Sequence, residues 1–209
     1  MSEKLNRRTI LLGACSAGLF SGMAGVLSAA VAAPGARARD EEEPGKKPVE
    51  LPAGFENLDH DRYMRLAIEQ ANRVPDCPFG AVIVNGKTKE VVSRGWVRKD
   101  KNPTWHGEMT AIFNCPEGAD FPWQDMCLYT TGESCPMCQA AIVWTKMPMV
   151  VYGSSIPFLQ TCGFGQINIR AQKIVDAAIF DYGNCTILGG ILEKDCNALF
   201  EQAREMATR

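Results

Sequence analysis

Four residues in two short motifs have the types and spacing of a catalytic metal site. A His-Gly-Glu motif begins at His106, and a Cys-Pro-Met-Cys motif runs from Cys135 to Cys138. A catalytic zinc takes three protein ligands and keeps one position open for water, and one histidine with two cysteines is a known ligand set. We therefore predict that His106, Cys135 and Cys138 bind Zn²⁺, with Glu108 beside the metal as a free carboxylate.

Such a site suits hydrolytic deamination. Zinc lowers the pKa of bound water toward about 7, so a hydroxide is available at neutral pH. Glu108 is predicted to take the proton of that water and to deliver it to a ring nitrogen and then to the leaving amine. His-x-Glu followed by Pro-Cys-x-x-Cys is the signature of the zinc deaminases, although Ser134 stands here where that pattern has proline.

Each motif also has a structural interpretation. A Cys-x-x-Cys pair in an exported protein is often a disulfide or a redox pair, and a lone histidine is usually structural. Only two histidines occur, His60 and His106, and the second one forms the His-x-Glu motif. The joint occurrence favours zinc. His60 has no partner motif, and we interpret it as a capping or surface residue.

The elements that must position these residues follow from the sequence pattern. A helix over 106–114 presents His106, and a second helix over 136–144 presents the two cysteines, with a strand over 127–131 between them. Two cysteines three positions apart at a helix start direct both sulfurs to one point, and the helix N-terminus lowers the pKa of their thiols.

Before the site, the pattern predicts a helix and a hairpin. The helix begins near Asp59, a good N-cap, and strands over 80–84 and 91–97 are joined by an Asn-Gly turn at Asn85.

After the site, the pattern predicts a strand over 149–152, a short helix after Pro157, a strand over 166–170 and a last helix over 190–206. One hairpin followed by repeated strand–helix units indicates an α/β sandwich whose C-terminal half is largely parallel.

The N-terminal part of the chain is predicted to be a twin-arginine export signal over residues 1–33. Arg7 and Arg8 precede an apolar run rich in Gly, Ala and Ser, which Pro34 ends. The alternative is a transmembrane anchor, because the run is long enough to cross a bilayer; two small-x-small cleavage sites disfavour it, and we expect no stable anchor. We expect residues 34–53 to form a flexible charged linker and residues 54–209 to form the zinc-dependent deaminase domain. The predicted location is periplasmic, or otherwise extracytoplasmic.

The charge balance excludes a general attraction to phosphate backbones. Seven of the 22 basic residues and five of the 24 acidic residues precede residue 49, which leaves 15 basic residues, 19 acidic residues and a net charge of −4. A mildly acidic domain with no basic stripe near its C-terminus disfavours nucleic acid as a partner.

The cysteine content leaves two interpretations open. The chain has nine cysteines, and disulfides are the default expectation in an exported protein. Several of those outside the zinc motif lie in apolar runs and are equally explained as buried thiols; they are Cys77, Cys115, Cys127, Cys162, Cys185 and Cys196.

Over roughly residues 59–205 the chain resembles the cytidine deaminase-like superfamily, in the branch of nucleobase and tRNA adenosine deaminases. Four segments support this: the Pro-Phe-Gly-Ala-Val-Ile-Val run from Pro78, the first zinc motif with its preceding Asn-Pro-Thr-Trp, the second zinc motif with its preceding Leu-Tyr-Thr-Thr-Gly-Glu-Ser, and the Gly-Ile-Leu-Glu-Lys-Asp-Cys run from Gly190, which is similar to the start of the C-terminal helix of the tRNA enzymes. The resemblance implies a three-layer α/β/α sandwich with a central mixed five-stranded sheet, and a homodimer.

The resemblance also implies residues that contact the substrate. Phe79 would line the base pocket and the Gly107 amide would contact the base. Trp105, like Phe79, is a candidate for stacking on a flat ring. Many relatives carry a base-binding Asn shortly after the second strand, whereas this chain has Gly-Trp-Val-Arg-Lys from Gly95 to Lys99. The usual amide contact is therefore missing.

The sequence is compatible with three functions. The leading hypothesis is an exported deaminase of a free nucleobase or a similar small amino-heterocycle of the guanine, cytosine or adenine type. The second is a tRNA adenosine deaminase-like enzyme, which the acidic domain and the export signal disfavour. The third is a zinc- or disulfide-stabilised binding module without catalysis, which Glu108 disfavours, because a structural zinc site has four ligands and needs no base.

Overall fold

The computed structural model describes residues 49–118 and 120–208. The predicted signal segment and the linker up to residue 48 lie outside the described residues. Among the described residues, no helix is both long enough and apolar enough to cross a bilayer.

Helices and strands alternate along the described chain after an initial hairpin, and two short 3₁₀ helices, Trp123–Asp125 and Phe180–Gly183, lie between them. The elements in chain order are α1 (His60–Ala71), β1 (Gly80–Asn85), β2 (Val91–Trp96), α2 (Gly107–Phe113), β3 (Met126–Gly132), α3 (Pro136–Thr145), β4 (Met149–Ser154), α4 (Ile156–Thr161), α5 (Ala171–Ala177), β5 (Thr186–Gly189) and α6 (Glu193–Ala207).

The strands form one mixed five-stranded sheet in the order β2-β1-β3-β4-β5. Strand β1 is antiparallel to both β2 and β3. Strands β3, β4 and β5 are parallel to one another. The predicted mixed five-stranded sheet and its parallel C-terminal half are confirmed.

Helices cover both faces of the sheet. Alternate strand residues point to opposite sides, and on both sides they are apolar and packed against helices. On one face, Val82 and Tyr129 pack with residues of α1 and with Cys196 of α6. On the other face, Ile83 and Leu128 pack with residues of α2, α3 and α5. The central strands are buried on both faces, which explains why their sequences read as continuous apolar runs.

Two glycines let helices lie directly against the sheet. A Cβ on Gly80 would come 2.2 Å from the Ala67 carbonyl oxygen of α1, and a Cβ on Gly95 would come 2.2 Å from the Gly107 carbonyl oxygen of α2. Both distances are far below van der Waals contact, and both involve helix backbone. The sheet therefore accepts α1 and α2 only because these positions carry no side chain.

Most predicted elements are confirmed, with their ends shifted by a few residues. Asp59 caps α1 and accepts a hydrogen bond from the Arg62 amide at 3.0 Å. The last helix begins at Glu193 instead of residue 190, because Gly190 and Leu192 have positive φ angles of 85° and 47° that a right-handed helix cannot contain.

The predicted strand over 166–170 is wrong. These residues have no strand pairing, and Arg170 is the N-cap of α5. The position beside β4 is taken by β5, which the sequence analysis missed together with α5. Both are short, at four and seven residues, and so carry too little periodicity to be recognised.

The close approach of α2 at Gly95 gives a first testable prediction. Gly95→Ala should lower the free energy of unfolding by about 1–3 kcal/mol, because the helix must move away from the strand to admit a methyl group. Urea denaturation followed by circular dichroism measures this. Gly165→Ala is the matched control, since its Cβ would meet nothing within 4 Å. Equal stability of the two variants would contradict the close-packing account.

Candidate active site

The two predicted motifs converge on one point. The His106 Nδ1 atom lies 3.6 Å from the sulfurs of both Cys135 and Cys138, and the two sulfurs are 3.6 Å apart. His106 is the N-cap of α2 and Cys135 is the N-cap of α3, both with extended backbone. Pro136 follows in the first turn, where its fixed φ angle suits a helix start.

The three donor atoms fit zinc. All three lie within 4.8 Å of one another. Donor separations of 3.6 Å suit sulfur and nitrogen ligands bound at about 2.0–2.3 Å around one tetrahedral ion. They do not suit a disulfide, which needs sulfurs about 2.05 Å apart. Three ligands leave a fourth position free, which is the pattern of a catalytic zinc and not of a structural one.

The electrostatics of the site favour a thiolate at Cys135. The hydrogen bond with the Cys138 thiol, together with that of His106, lowers the pKa of Cys135 to about 4. In turn, the hydrogen bond with Cys135 raises the pKa of the His106 imidazole, and burial is the main effect that opposes that rise. Burial raises the pKa of the Glu108 carboxyl, which is only 3% exposed.

A pocket of about 100 Å³ opens beside these groups. Its polar end holds His106, Glu108 and Cys135, and aromatic and aliphatic side chains form its walls. The lining residues are Phe79, Val97, Lys99, His106, Glu108, Glu133, Cys135, Phe164, Gly165 and Gln166.

The three predicted substrate residues lie in different settings. Phe79 lines the pocket and packs on Phe164, with ring centroids 5.5 Å apart. Gly107 is buried as the first residue of α2, and a Cβ there would lie 2.8 Å from the Phe79 carbonyl oxygen. Trp105 is not among the lining residues; its ring is 6.4 Å from that of Phe113.

The interpretation of His60 as a capping or surface residue is wrong. Its Nδ1 atom is 2.8 Å from the Tyr129 hydroxyl, in a partly buried contact between α1 and β3. Burial lowers the pKa of this imidazole. Asp59 does the capping, so His60 is free to pack inward.

All eight described cysteines are free thiols, so the default expectation of disulfides is not confirmed for residues 49–118 and 120–208. Five of those outside the zinc motif are buried: Cys115, Cys127, Cys162, Cys185 and Cys196. Buried in apolar surroundings, they behave as small core residues. Cys77 is partly exposed, and Cys15 lies outside the described residues.

An ion pair between buried Glu133 and partly exposed Arg170, next to the zinc ligands, was missed by the sequence analysis. Glu133 is two residues before Cys135, and its side chain is 2% exposed. Its two oxygens accept from the Arg170 Nε at 2.8 and 2.9 Å, from the Ile156 amide at 2.9 Å and from the Ala171 amide at 2.9 Å.

These bonds join the end of β3 to the first turns of α4 and α5. The segment between those helices contributes Phe164, Gly165 and Gln166 to the pocket wall. The Glu133 carboxylate therefore holds the first residue of α4, which precedes this segment, and Arg170 at the end of the segment. Glu133 stands in the polar segment just before the second zinc motif, whereas its partner is 37 residues away in sequence and has no local signal.

Comparison with known proteins agrees with this geometry. The family described as "Cytidine and deoxycytidylate deaminase zinc-binding region" matches residues 58–154, which include both motifs. The guanine deaminase of Bacillus subtilis (strain 168) is 34% identical over 114 residues, covering 51% of this chain and 72% of that protein.

The tRNA-specific adenosine deaminase of Streptococcus pyogenes serotype M1 is 31% identical over 154 residues, covering 68% of this chain and 84% of that protein. Among solved structures, a guanine deaminase from Nitrosomonas europaea superposes with a TM-score of 0.59 at 16% identity, over 77% of this chain and 97% of that chain. At that identity the likeness concerns the fold.

The Glu133–Arg170 pair gives a second prediction. Glu133→Gln should lower the free energy of unfolding by about 1–3 kcal/mol, because Arg170 and a backbone amide lose a charged acceptor. The variant should also loosen the pocket wall at residues 164–166. We therefore expect KM to rise by a larger factor than kcat falls, because this wall contacts the substrate and not the zinc ligands. Asp176→Asn, which removes an exposed pair with Lys173, should change stability by less than about 0.5 kcal/mol. Equal effects of both variants in urea denaturation would refute the assignment.

Proposed function

Because the chain belongs to the cytidine and deoxycytidylate deaminase family, whose zinc-binding region it carries, we propose that it is an exported deaminase of a free nucleobase or a similar small amino-heterocycle. It is a zinc-dependent deaminase that hydrolyses C–N bonds. The observation that carries the proposal is the position of buried Glu108 in one small pocket with the metal-binding group of His106, Cys135 and Cys138.

In the proposed mechanism, His106, Cys135 and Cys138 hold the zinc. When bound, zinc acidifies water at its open position and so provides a nucleophile at neutral pH. Glu108 accepts the proton of that water, donates it to a ring nitrogen and then moves a proton to the departing amine. Its burial suits this task, because burial raises the pKa of the carboxyl and so makes it a stronger proton acceptor than an exposed glutamate.

The other walls of the pocket bind and orient the ring. Phe79 and Phe164 offer aromatic surface to a flat heterocycle. Val97 is 4% exposed and narrows the pocket from the β2 side.

The size of the pocket supports a free base or a similar small heterocycle as the substrate. Its volume of about 100 Å³ is below the roughly 300–1,000 Å³ common for drug-sized ligands. The relationship to a guanine deaminase at 34% identity also favours a free base. The net charge of −4 after residue 48 adds no general attraction to RNA.

A second candidate is a tRNA adenosine deaminase-like activity, favoured by the 31% identity to the Streptococcus pyogenes enzyme. Such an enzyme would place one flipped base in the same pocket. Ammonia release from free guanine, cytosine, adenine and related rings, compared with inosine formation in a tRNA anticodon stem-loop, distinguishes the two candidates.

The role of Glu108 gives a third prediction. Glu108→Gln should keep about one zinc per chain but lower ammonia release by about 10²–10⁴-fold, because the amide neither accepts nor donates the transferred proton. Metal content is measured by atomic emission and ammonia by a coupled assay. Glu117→Gln, at an exposed position, is the matched control and should keep full activity. Cys138→Ser should lose zinc and activity together. A fully active Glu108→Gln variant would disprove the mechanism.

Export by the twin-arginine route is a separate part of the proposal, supported by Arg7 and Arg8 ahead of the apolar run. Changing both residues to lysine in the full chain should shift the protein from the periplasmic to the cytoplasmic fraction of a bacterium that has this pathway. The same double change at Arg37 and Arg39 is the control and should leave the distribution unaltered. An unaltered distribution of the first variant would refute the route.

A further inference from the structure

We propose that Lys99 makes this pocket selective for a ring that carries an anionic substituent, such as a ring carboxylate. The inference rests on the proposed function, since it concerns the substrate of the same site. Lys99 is a lining residue of the pocket that also contains Glu108 and His106. An ammonium at this place can bind an acidic group on the ring while the reacting carbon faces the zinc ligands.

The backbone around Lys99 is held in a defined turn after β2. The Val97 amide donates to the Phe79 carbonyl at 3.0 Å, and the Arg98 amide donates to the Trp105 carbonyl at 2.7 Å. The Lys101 amide closes the turn on the Arg98 carbonyl at 3.0 Å. Lys99 therefore starts from a fixed position next to the pocket, although its side chain is exposed at the mouth.

The Lys99 ammonium has no carboxylate partner within the described ranges, 49–118 and 120–208. None of the ion pairs at 4.0 Å or less includes it. The neighbouring Asp100 pairs instead with Lys101 at 3.7 Å. The one hydrogen-bond partner of the ammonium is the Cys77 sulfur at 3.7 Å, and a thiol is a weak acceptor.

The two carboxylates that line the pocket do not balance this charge. Glu133 is saturated by Arg170 and two backbone amides, and Glu108 is buried beside the zinc ligands. An unpaired cation next to a partly desolvated pocket attracts an anionic ligand and discriminates against a neutral one of the same shape.

The pocket is small, at about 100 Å³, and Lys99 lies at its mouth. A small ring with an acidic group bonded directly to it is therefore the simplest probe of this cation. This chemistry differs from the side-chain amide contact expected of relatives, because an ammonium donates to oxygen anions and accepts no hydrogen bond.

The test uses the zinc-loaded protein and two probes of similar size, cytosine-5-carboxylate and 5-methylcytosine. Calorimetry measures the binding of each probe, and a coupled assay measures ammonia release from each probe and from a panel of free bases. Three variants are compared with the wild type: Lys99→Met, Lys99→Arg and Lys101→Met. The last is the matched control, since it removes the same charge two residues away, outside the pocket lining.

The wild type and Lys101→Met should bind the carboxylate about 5–10-fold more tightly than the methyl compound, as for one charged hydrogen bond at a partly exposed site. Lys99→Met should bind both probes equally, and Lys99→Arg should keep most of the preference. Raising the salt concentration to 0.5 M should reduce the preference, because the pair is open to solvent.

Equal binding of the two probes by the wild type, or equal losses in Lys99→Met and Lys101→Met, would overturn the inference. If the wild type releases ammonia from a free base but shows no preference, the inference alone fails. If it prefers the carboxylate but releases ammonia from no ring, the proposed function fails while the inference about the pocket stands.

Discussion

The site depends on how closely the backbone of α2 lies against the edge of the sheet. The Cα of Gly95 on β2 faces the Gly107 carbonyl, and Gly107 itself lies against the Phe79 carbonyl. Neither contact leaves room for a side chain. Because His106 is the residue that precedes this first helical turn, the same contacts determine where its imidazole meets the two cysteine sulfurs.

The parallel half of the sheet supplies the other ligands by a different route. Strand β3 ends at Gly132, and the chain turns into α3, so Cys135 and Cys138 lie at a helix start just beyond the carboxyl end of a parallel strand. Catalytic groups in α/β folds commonly occur at this edge of the sheet. The antiparallel hairpin brings His106 to the same edge, which a purely local motif could not do.

Charge in this region is either paired and buried or left exposed, and the difference has functional consequences. Glu133 is removed from water but has a full set of donors, so it stabilises the first turns of α4 and α5 on either side of the pocket-lining segment. Lys99 is accessible and without a carboxylate partner in the described part of the chain. The first group therefore supports the architecture, whereas the second is available to a ligand.

The sequence by itself determined the ligand set, because His-x-Glu and Cys-x-x-Cys constrain residue types and spacing within single turns of helix. It also predicted the hairpin, β3 and β4, because apolar runs bounded by turn residues are strong local signals. It failed for β5 and α5, which are short, and it placed a strand over 166–170 where the chain only connects two helices.

The tertiary structure decided which residues surround the reacting groups. Glu133 and Arg170 are 37 residues apart in sequence. Lys99 lines the pocket from the turn after β2, an edge strand, whereas Phe164 lines it from the segment after α4, which follows β4. Such contacts depend on strand order and helix packing, not on neighbours along the chain. Local spacing in the sequence therefore determines the zinc ligands and Glu108, whereas long-range packing determines which other residues line the pocket.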